Sequence, residues 1–170
     1  MNTPFTALRR LKESLKTVGM IIIAISGIYL CTQRLRAIEN KLCVVRGLCA
    51  LIRYSKVQVE NYSMPCAEII SRCPAEVLRL CGYTEDIPPS SFEELYCAID
   101  IPDGESSRIF SEFVGDMGGC YREEQIRRCE EFFLLMSERE KNIAERMPAE
   151  RKLTVALFVS AVLAVLILTL

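Results

Sequence analysis

The sequence predicts an all-α membrane protein in which two transmembrane helices flank a small helical bundle. Three observations predict it. Two uncharged apolar runs stand one near each end; apolar residues recur every three or four positions through the segment between them; and nowhere does the strict alternation of a strand persist. The chain has 170 residues, room for one domain of ordinary size beside two spans. Hydrophobic residues make up 51%, high for a soluble protein, and the excess is concentrated in the two runs.

Charge and composition narrow the function classes. A net charge of −1 provides no global basic field for nucleic acid. The chain has no histidine, so it lacks the most common general base, the usual partner of a nucleophilic Ser or Cys, and the commonest metal ligand. No GxxxxGK[ST] loop is present. The expectation is a protein that is not an enzyme, with no catalytic residues, no cofactor or metal, and no small-molecule substrate.

Residues 1–16 form an N-terminal extension carrying Arg9, Arg10, Lys12 and Lys16. Residues 17–33 and 153–170 contain no charged residue. They are 17 and 18 residues long, just within the range of about 17–25 that spans a bilayer. Lys16 and Arg34 bracket the first run, and Arg151 and Lys152 precede the second, where long cationic side chains snorkel to the interface. A core helix apolar on every face would need a larger protein around it. For the first run, a cleaved signal peptide with the basic extension as its n-region is a second reading. Positive charge stays in the cytoplasm. Arg34, Arg36, Lys41, Arg46, Arg139, Lys141, Arg146, Arg151 and Lys152 lie on the domain side, against four cations on the side of the termini. Residues 34–152 are therefore expected to be a cytoplasmic helical-bundle domain.

Within that domain, Leu35, Ile38, Leu42, Val45, Cys49, Ile52 and Val59 mark one long helix running out of the first span to about Tyr62. Ser63 suits an N-cap, with Pro65 in the first turn of a short helix to about Cys73. Pro74 opens another helix, which Gly82 ends. Residues 83–90 are a loop, and Ser90 with Glu93 or Ser91 with Glu94 is a capping box for a helix through about Ala98. Pro102-Asp103-Gly104 is a turn. A helix from about Ser106 to Met117 carries Ile109, Phe110, Phe113 and Val114 on one face. The last helix starts near Arg122, with Ile126, Cys129, Phe132, Phe133, Met136, Ile143 and Met147 as its apolar face and a kink or break at Pro148.

The other face of this last helix is densely charged, with opposite signs at helical spacing, for example Glu138 and Lys141. Such a face is either solvated or a surface for a partner. Arg127, Arg128, Glu130 and Glu131 are the candidate partner-docking residues. Cys31 lies in the first run and eight further cysteines lie in the domain. No CxxC pair occurs, and structural zinc sites favour pairs two to four residues apart. Cys43, Cys49 and Cys129 fall among apolar neighbours, as reduced cysteines acting as small core hydrophobes would. A cysteine-based redox or metal-sensing module and a different membrane-anchored scaffold remain the alternative functions.

Several segments carry a resemblance. Arg34-Leu-Arg36-Ala-Ile38-Glu-Asn-Lys-Leu42, Leu51-Ile-Arg-Tyr54, Ser63-Met-Pro65-Cys-Ala-Glu68-Ile, and residues 113–125 from Phe113 through Gly118 to Gln125 occur in that order between the two runs. The layout resembles the stage III sporulation protein AB family of endospore-forming bacteria. Tyr121 or Arg122 stands where the family has Asp, and the second run has Val155, Ala156 and Ser160 in place of its glycines. The family is similar to the inner-membrane platform proteins of type II secretion and type IV pilus machines. The resemblance implies a platform in the channel complex between mother cell and forespore, in the outer forespore membrane. The implied partners are the sporulation AAA-type secretion ATPase and the other membrane proteins of the same operon.

Overall fold

A computed structural model describes residues 4–119 and 121–169, and the side chains of 18–119, 121–165 and 167. Cys120, the side chains of the basic extension and the last residues of the second run lie outside the described residues. Among those described, the fold is entirely helical, with six helices: α1 (Pro4–Tyr62), α2 (Cys66–Ser71), α3 (Ala75–Leu80), α4 (Phe92–Ala98), α5 (Gly104–Asp116) and α6 (Arg122–Thr169). They divide into two compact units, residues 39–146 and residues 1–38 with 147–170. The long helices α1 and α6 contribute to both.

In the 39–146 unit the core forms along α1. Leu42, Val45, Cys49, Ile52 and Val59, spaced by three, four or seven residues, are buried, joined by Val44, Leu48 and Leu51. Against them lie Ile69 and Ile70 of α2, Leu78 of α3, Phe92 and Leu95 of α4, Ile109, Phe110, Phe113 and Val114 of α5, and Cys129, Phe132, Met136 and Ile143 of α6. Aromatic rings tie three of these helices: Phe92 meets Phe113 edge-on at 5.6 Å, Phe113 stacks on Phe110 at 5.9 Å, and Phe132 meets Phe113 edge-on at 5.7 Å. Gly47 is needed for a close approach. A Cβ there would stand 2.4 Å from the Leu80 carbonyl carbon and 2.5 Å from the Cys81 nitrogen, so α3 ends directly on α1.

Local chemistry sets the boundaries. Ser63 is not an N-cap: it adopts φ 48°, and its N–H donates to the Val59 carbonyl, closing the end of α1. The residue that precedes α2 is Pro65, without a side-chain cap. Gly82 takes φ 93°, as a helix terminator does. Ser91 caps α4 by accepting from the Glu94 N–H, while Glu94 reaches back to the Ser90 N–H at 2.7 Å. Helix α5 begins at Gly104, earlier than its apolar periodicity suggests, because Asp103 is its N-cap and accepts from the Ser106 N–H at 3.0 Å. Pro148 does not break α6, which continues on both sides of it. The proline removes one backbone donor, and the turns before and after keep their own ladder.

In the other unit, residues of α1 before Glu39 pair with residues of α6 after Arg146. The half-buried positions are Gly19, Met20, Ala24, Gly27, Cys31, Leu35 and Ile38 on one helix and Met147, Arg151, Thr154, Phe158, Val162 and Val165 on the other. Apart from Gly19, which adjoins Met20, each set is a single stripe at three- or four-residue spacing. The pair is antiparallel: Gly27 abuts Phe158, while Met20 and Ala24 line a groove with Val162 and Val165. Everything off the stripes faces outward. Ile21, Ile22, Ile25, Tyr29 and Leu30 are exposed, as are Leu153, Leu157, Val159 and Leu163. Among the described residues, one helix holds a stretch long and apolar enough to cross a membrane; it lies in α1, beginning at Val18, and none of it is buried.

Candidate partner-docking face

The outer face of α6 is defined by what its inner face does. Gln125, Cys129, Phe132, Met136 and Ile143 are buried, so the positions about 180° away are Arg127, Leu134, Glu138, Lys141 and Glu145, flanked by Glu130 and Glu131. Of the four residues singled out in the sequence, Arg127, Glu130 and Glu131 lie on this face, at 64%, 58% and 56% exposure. Arg128 does not belong with them. It sits at the flank, one-third exposed, pinned to Asp116 at 2.7 Å and Glu124 at 3.0 Å. Arg127 donates to both Glu124 and Glu131 along the helix, and Lys56 of α1 reaches Glu130 at 3.4 Å. The Arg127 and Arg128 guanidiniums hold the Glu124 carboxyl down at about 2. Lys141 stands 4.0 Å from Glu145, one turn on.

Periodicity missed two features of this helix. Leu134, 62% exposed, stands in the middle of the charged stripe, and Leu135, 47% exposed, lies at its flank. They give it an apolar centre with a polar rim, the anatomy of a protein-binding patch. The signal was in the sequence: the run Phe132-Phe-Leu-Leu-Met136 is too long for one stripe of an amphipathic helix, so two of the five must face away. Arg139 shows the opposite. It falls three residues after Met136, on the core side, and is only 22% exposed.

Arg139 forms part of a buried charge cluster. Its Nε and Nη2 each lie 2.8 Å from an Asp103 carboxylate oxygen, a bidentate pair. Lys41 Nζ approaches the same carboxylate at 3.0 Å, and the Ser106 hydroxyl donates at 2.7 Å. Asp103 is 4% exposed. The Arg139 guanidinium, above all, holds its carboxyl far below the usual carboxylate range. One aspartate thus ties the α1 helix, the start of α5 and α6 together. At the far end of α1, Arg122 Nε donates to the Val59 carbonyl at 3.2 Å and its Nη2 to the Glu60 carbonyl, a cation on the negative pole of the helix.

The thiols divide by burial. Cys49, Cys73, Cys81 and Cys129 are buried, whereas Cys97 and Cys43 are exposed; Cys43 faces solvent because it lies one residue off the apolar seam. Burial pushes Cys49 up to about 12 and Cys129 up to about 11, so both are inert thiols packed as small apolar groups. Cys49 also lines a groove of about 510 Å³ with Ala50, Arg53, Tyr54, Val57, Phe133 and Glu140. Among the described residues, no three Cys, Asp or Glu side chains converge in a way that would hold a metal ion.

No protein-family model, no curated protein and no solved structure matches this chain.

Proposed function

We propose that the chain is a non-enzymatic membrane platform. In this reading residues 17–33 and 153–170 both span the bilayer, and residues 34–152 form a cytoplasmic domain that docks a secretion ATPase of the sporulation channel complex. The observation that carries it is the outward-facing apolar surface of the 1–38/147–170 unit. Large aliphatic side chains surround both helices, a state that water disfavours and lipid accommodates. Three hydroxyls within the pair bond inside their own helices, as hydrocarbon favours: Thr32 donates to the Tyr29 carbonyl, Thr154 to Glu150 and Ser160 to Ala156.

The antiparallel pairing supports a hairpin that enters and leaves the bilayer on one side. The excess of cations at its domain end supports a cytoplasmic domain. Helices α1 and α6 each run without interruption between the two units, which suits struts that carry a displacement or a load. The sporulation setting, the outer forespore membrane and the ATPase rest on the resemblance of residues 34–42, 51–54, 63–69 and 113–125. The docking element is the outer face of α6, with Arg127, Glu130 and Glu131 around Leu134.

Co-purification of the full chain in detergent with the secretion ATPase of the same genome tests this. Wild type retains the ATPase. Arg127→Glu with Leu134→Asp releases it, at unchanged helicity. Absence of binding by the wild type, or full binding by the double variant, contradicts the docking role.

A further inference from the structure

In the 39–146 unit, α1 and α6 form the groove of about 510 Å³ whose lining includes Ala50, Arg53, Val57 and Phe133. Arg53 and Val57 are exposed there. One position on from Phe133, about 100° round the helix, α6 raises a ridge: exposed Leu134 between exposed Glu131 and Glu138. Groove and ridge are complementary in charge. Arg46 and Lys56 of α1 are taken by Glu140 and Glu130 of α6, whereas Arg53 and Glu138 have no ion-pair partner among the described residues. The same two contacts fix the register of the antiparallel helices: Leu134 is level with Ile52, Glu131 with Ser55 and Glu138 with Leu48. The apolar point of the ridge therefore stands at the height of the groove between Ala50 and Val57. Arg53 falls between the heights of the two glutamates.

From this juxtaposition we propose that the groove takes the α6 ridge of a second copy of this chain and offers its own ridge in return, about a two-fold axis parallel to α6. Such an axis preserves height. Leu134 enters the copy's groove against Ala50, Val57 and Phe133, while Glu131 and Glu138 flank the copy's Arg53. The contact is self-complementary and closes as a dimer. The cations of the ridge are accommodated: Arg127 comes level with Val59, one residue from exposed Glu60, and Lys141 keeps Glu145. Opposite charges so placed fix the register and reject other arrangements, around an apolar centre that excludes water. Two copies held in one bilayer share this parallel orientation. The ridge is also the docking element proposed above, so the copy and the ATPase exclude each other on it. The dimer is read from the chain's own two faces and does not rest on that reading.

The test is the mass of the full chain in a neutral detergent by sedimentation equilibrium, without the ATPase. Wild type is expected to be a dimer. Leu134→Glu and Arg53→Glu each weaken it at least tenfold in Kd at unchanged helicity. Combining Arg53→Glu with Glu131→Arg and Glu138→Arg restores it, because the charges are exchanged rather than lost. Ile87→Glu, at an exposed loop position, leaves it intact. A photoreactive benzoylphenylalanine in place of Leu134 gives a second readout in an equal mixture of ordinary and heavy-nitrogen chains. Crosslinked peptides of mixed isotope should join position 134 to residues 46–57 of the other copy. A monomeric wild type, a dimer indifferent to Leu134→Glu and Arg53→Glu, a charge exchange that restores nothing, or mixed-isotope crosslinks only to other segments overturns the proposal. Each of these results leaves the ATPase-docking reading standing, and loss of ATPase binding with the dimer intact defeats that reading alone.

Discussion

The two units of this chain use the same aliphatic side chains in opposite ways. In the 39–146 unit Leu48, Leu51, Ile52, Ile69 and Ile70 are fully buried, while in the other unit Ile21, Ile22, Ile25 and Leu30 are more than half exposed. Charge follows the same division. The 39–146 unit places an aspartate inside its core and satisfies it with Arg139, Lys41 and Ser106. The helix pair of the other unit keeps charge out of residues 17–33 and 153–170 and places it outside those runs. The difference teaches that the two units satisfy their apolar residues differently: one buries them in its own interior, the other leaves them on its exterior, as the proposed membrane hairpin requires.

The largest expected effects fall on the first unit. Asp103→Ala leaves the Arg139 guanidinium partly buried without its carboxylate and removes the α5 cap, at a cost of about 3–5 kcal/mol. Phe113→Ala empties the centre of the aromatic cluster at a similar cost, about 3–5 kcal/mol. Chemical denaturation in detergent, followed by near-ultraviolet circular dichroism, measures both. Ile22→Ala, in the other unit, is expected to leave that transition where it is. Ile25→Lys reverses the comparison: it spares the folded domain but opposes membrane insertion by about 2.5–3.5 kcal/mol, read as the fraction inserted in a glycosylation-mapping assay.

Smaller effects sharpen the contrast. Gly47→Ala gains helix propensity yet drives a Cβ into the backbone at Leu80 and Cys81, for a net loss of about 1–3 kcal/mol in the same denaturation. The Asp103 carboxyl titrates far below its unfolded value. Its stabilisation is therefore complete above about pH 4 and is lost as the pH falls further. Melting temperature should hold between pH 7 and pH 5 and drop below pH 4, and Asp103→Asn, which keeps a cap, should flatten that drop. Exchanging Arg127 and Glu131 should change stability by less than about 0.5 kcal/mol, since exposed i,i+4 pairs contribute little. A larger change would mean that this face is part of the fold rather than a surface for a partner.

Much of the fold was legible because hydrophobic period and end signals agreed. The seam from Leu42 to Val59, the end of α1 at Tyr62, Gly82 as a terminator and the Ser91–Glu94 cap could all be read from residue spacing. What was hidden depended on tertiary contacts. Asp103 looks like an ordinary turn residue until Lys41 and Arg139, far away in sequence, converge on it. Ser63 looks like a cap but serves as a left-handed closing residue, because the N–H groups after Tyr62 bond back to α1. The layout of the charged outer face of α6 was half legible. Arg127, Glu130 and Glu131 follow from charge patterning, but the exclusion of Arg128 needed its bond to Asp116, and Leu134 needed the count of apolar residues one stripe can bury.

The most direct measurement of the central claim is thiol labelling in intact cells expressing the full chain. Cys43 and Cys97 are exposed in the 39–146 unit. With a membrane-impermeant maleimide and peptide mapping, both should be silent in intact cells and react once the membrane is permeabilised, while the protein stays in the carbonate-washed membrane fraction. Labelling of either cysteine in intact cells, or release of the chain into the soluble fraction, would contradict a cytoplasmic domain held by a membrane hairpin.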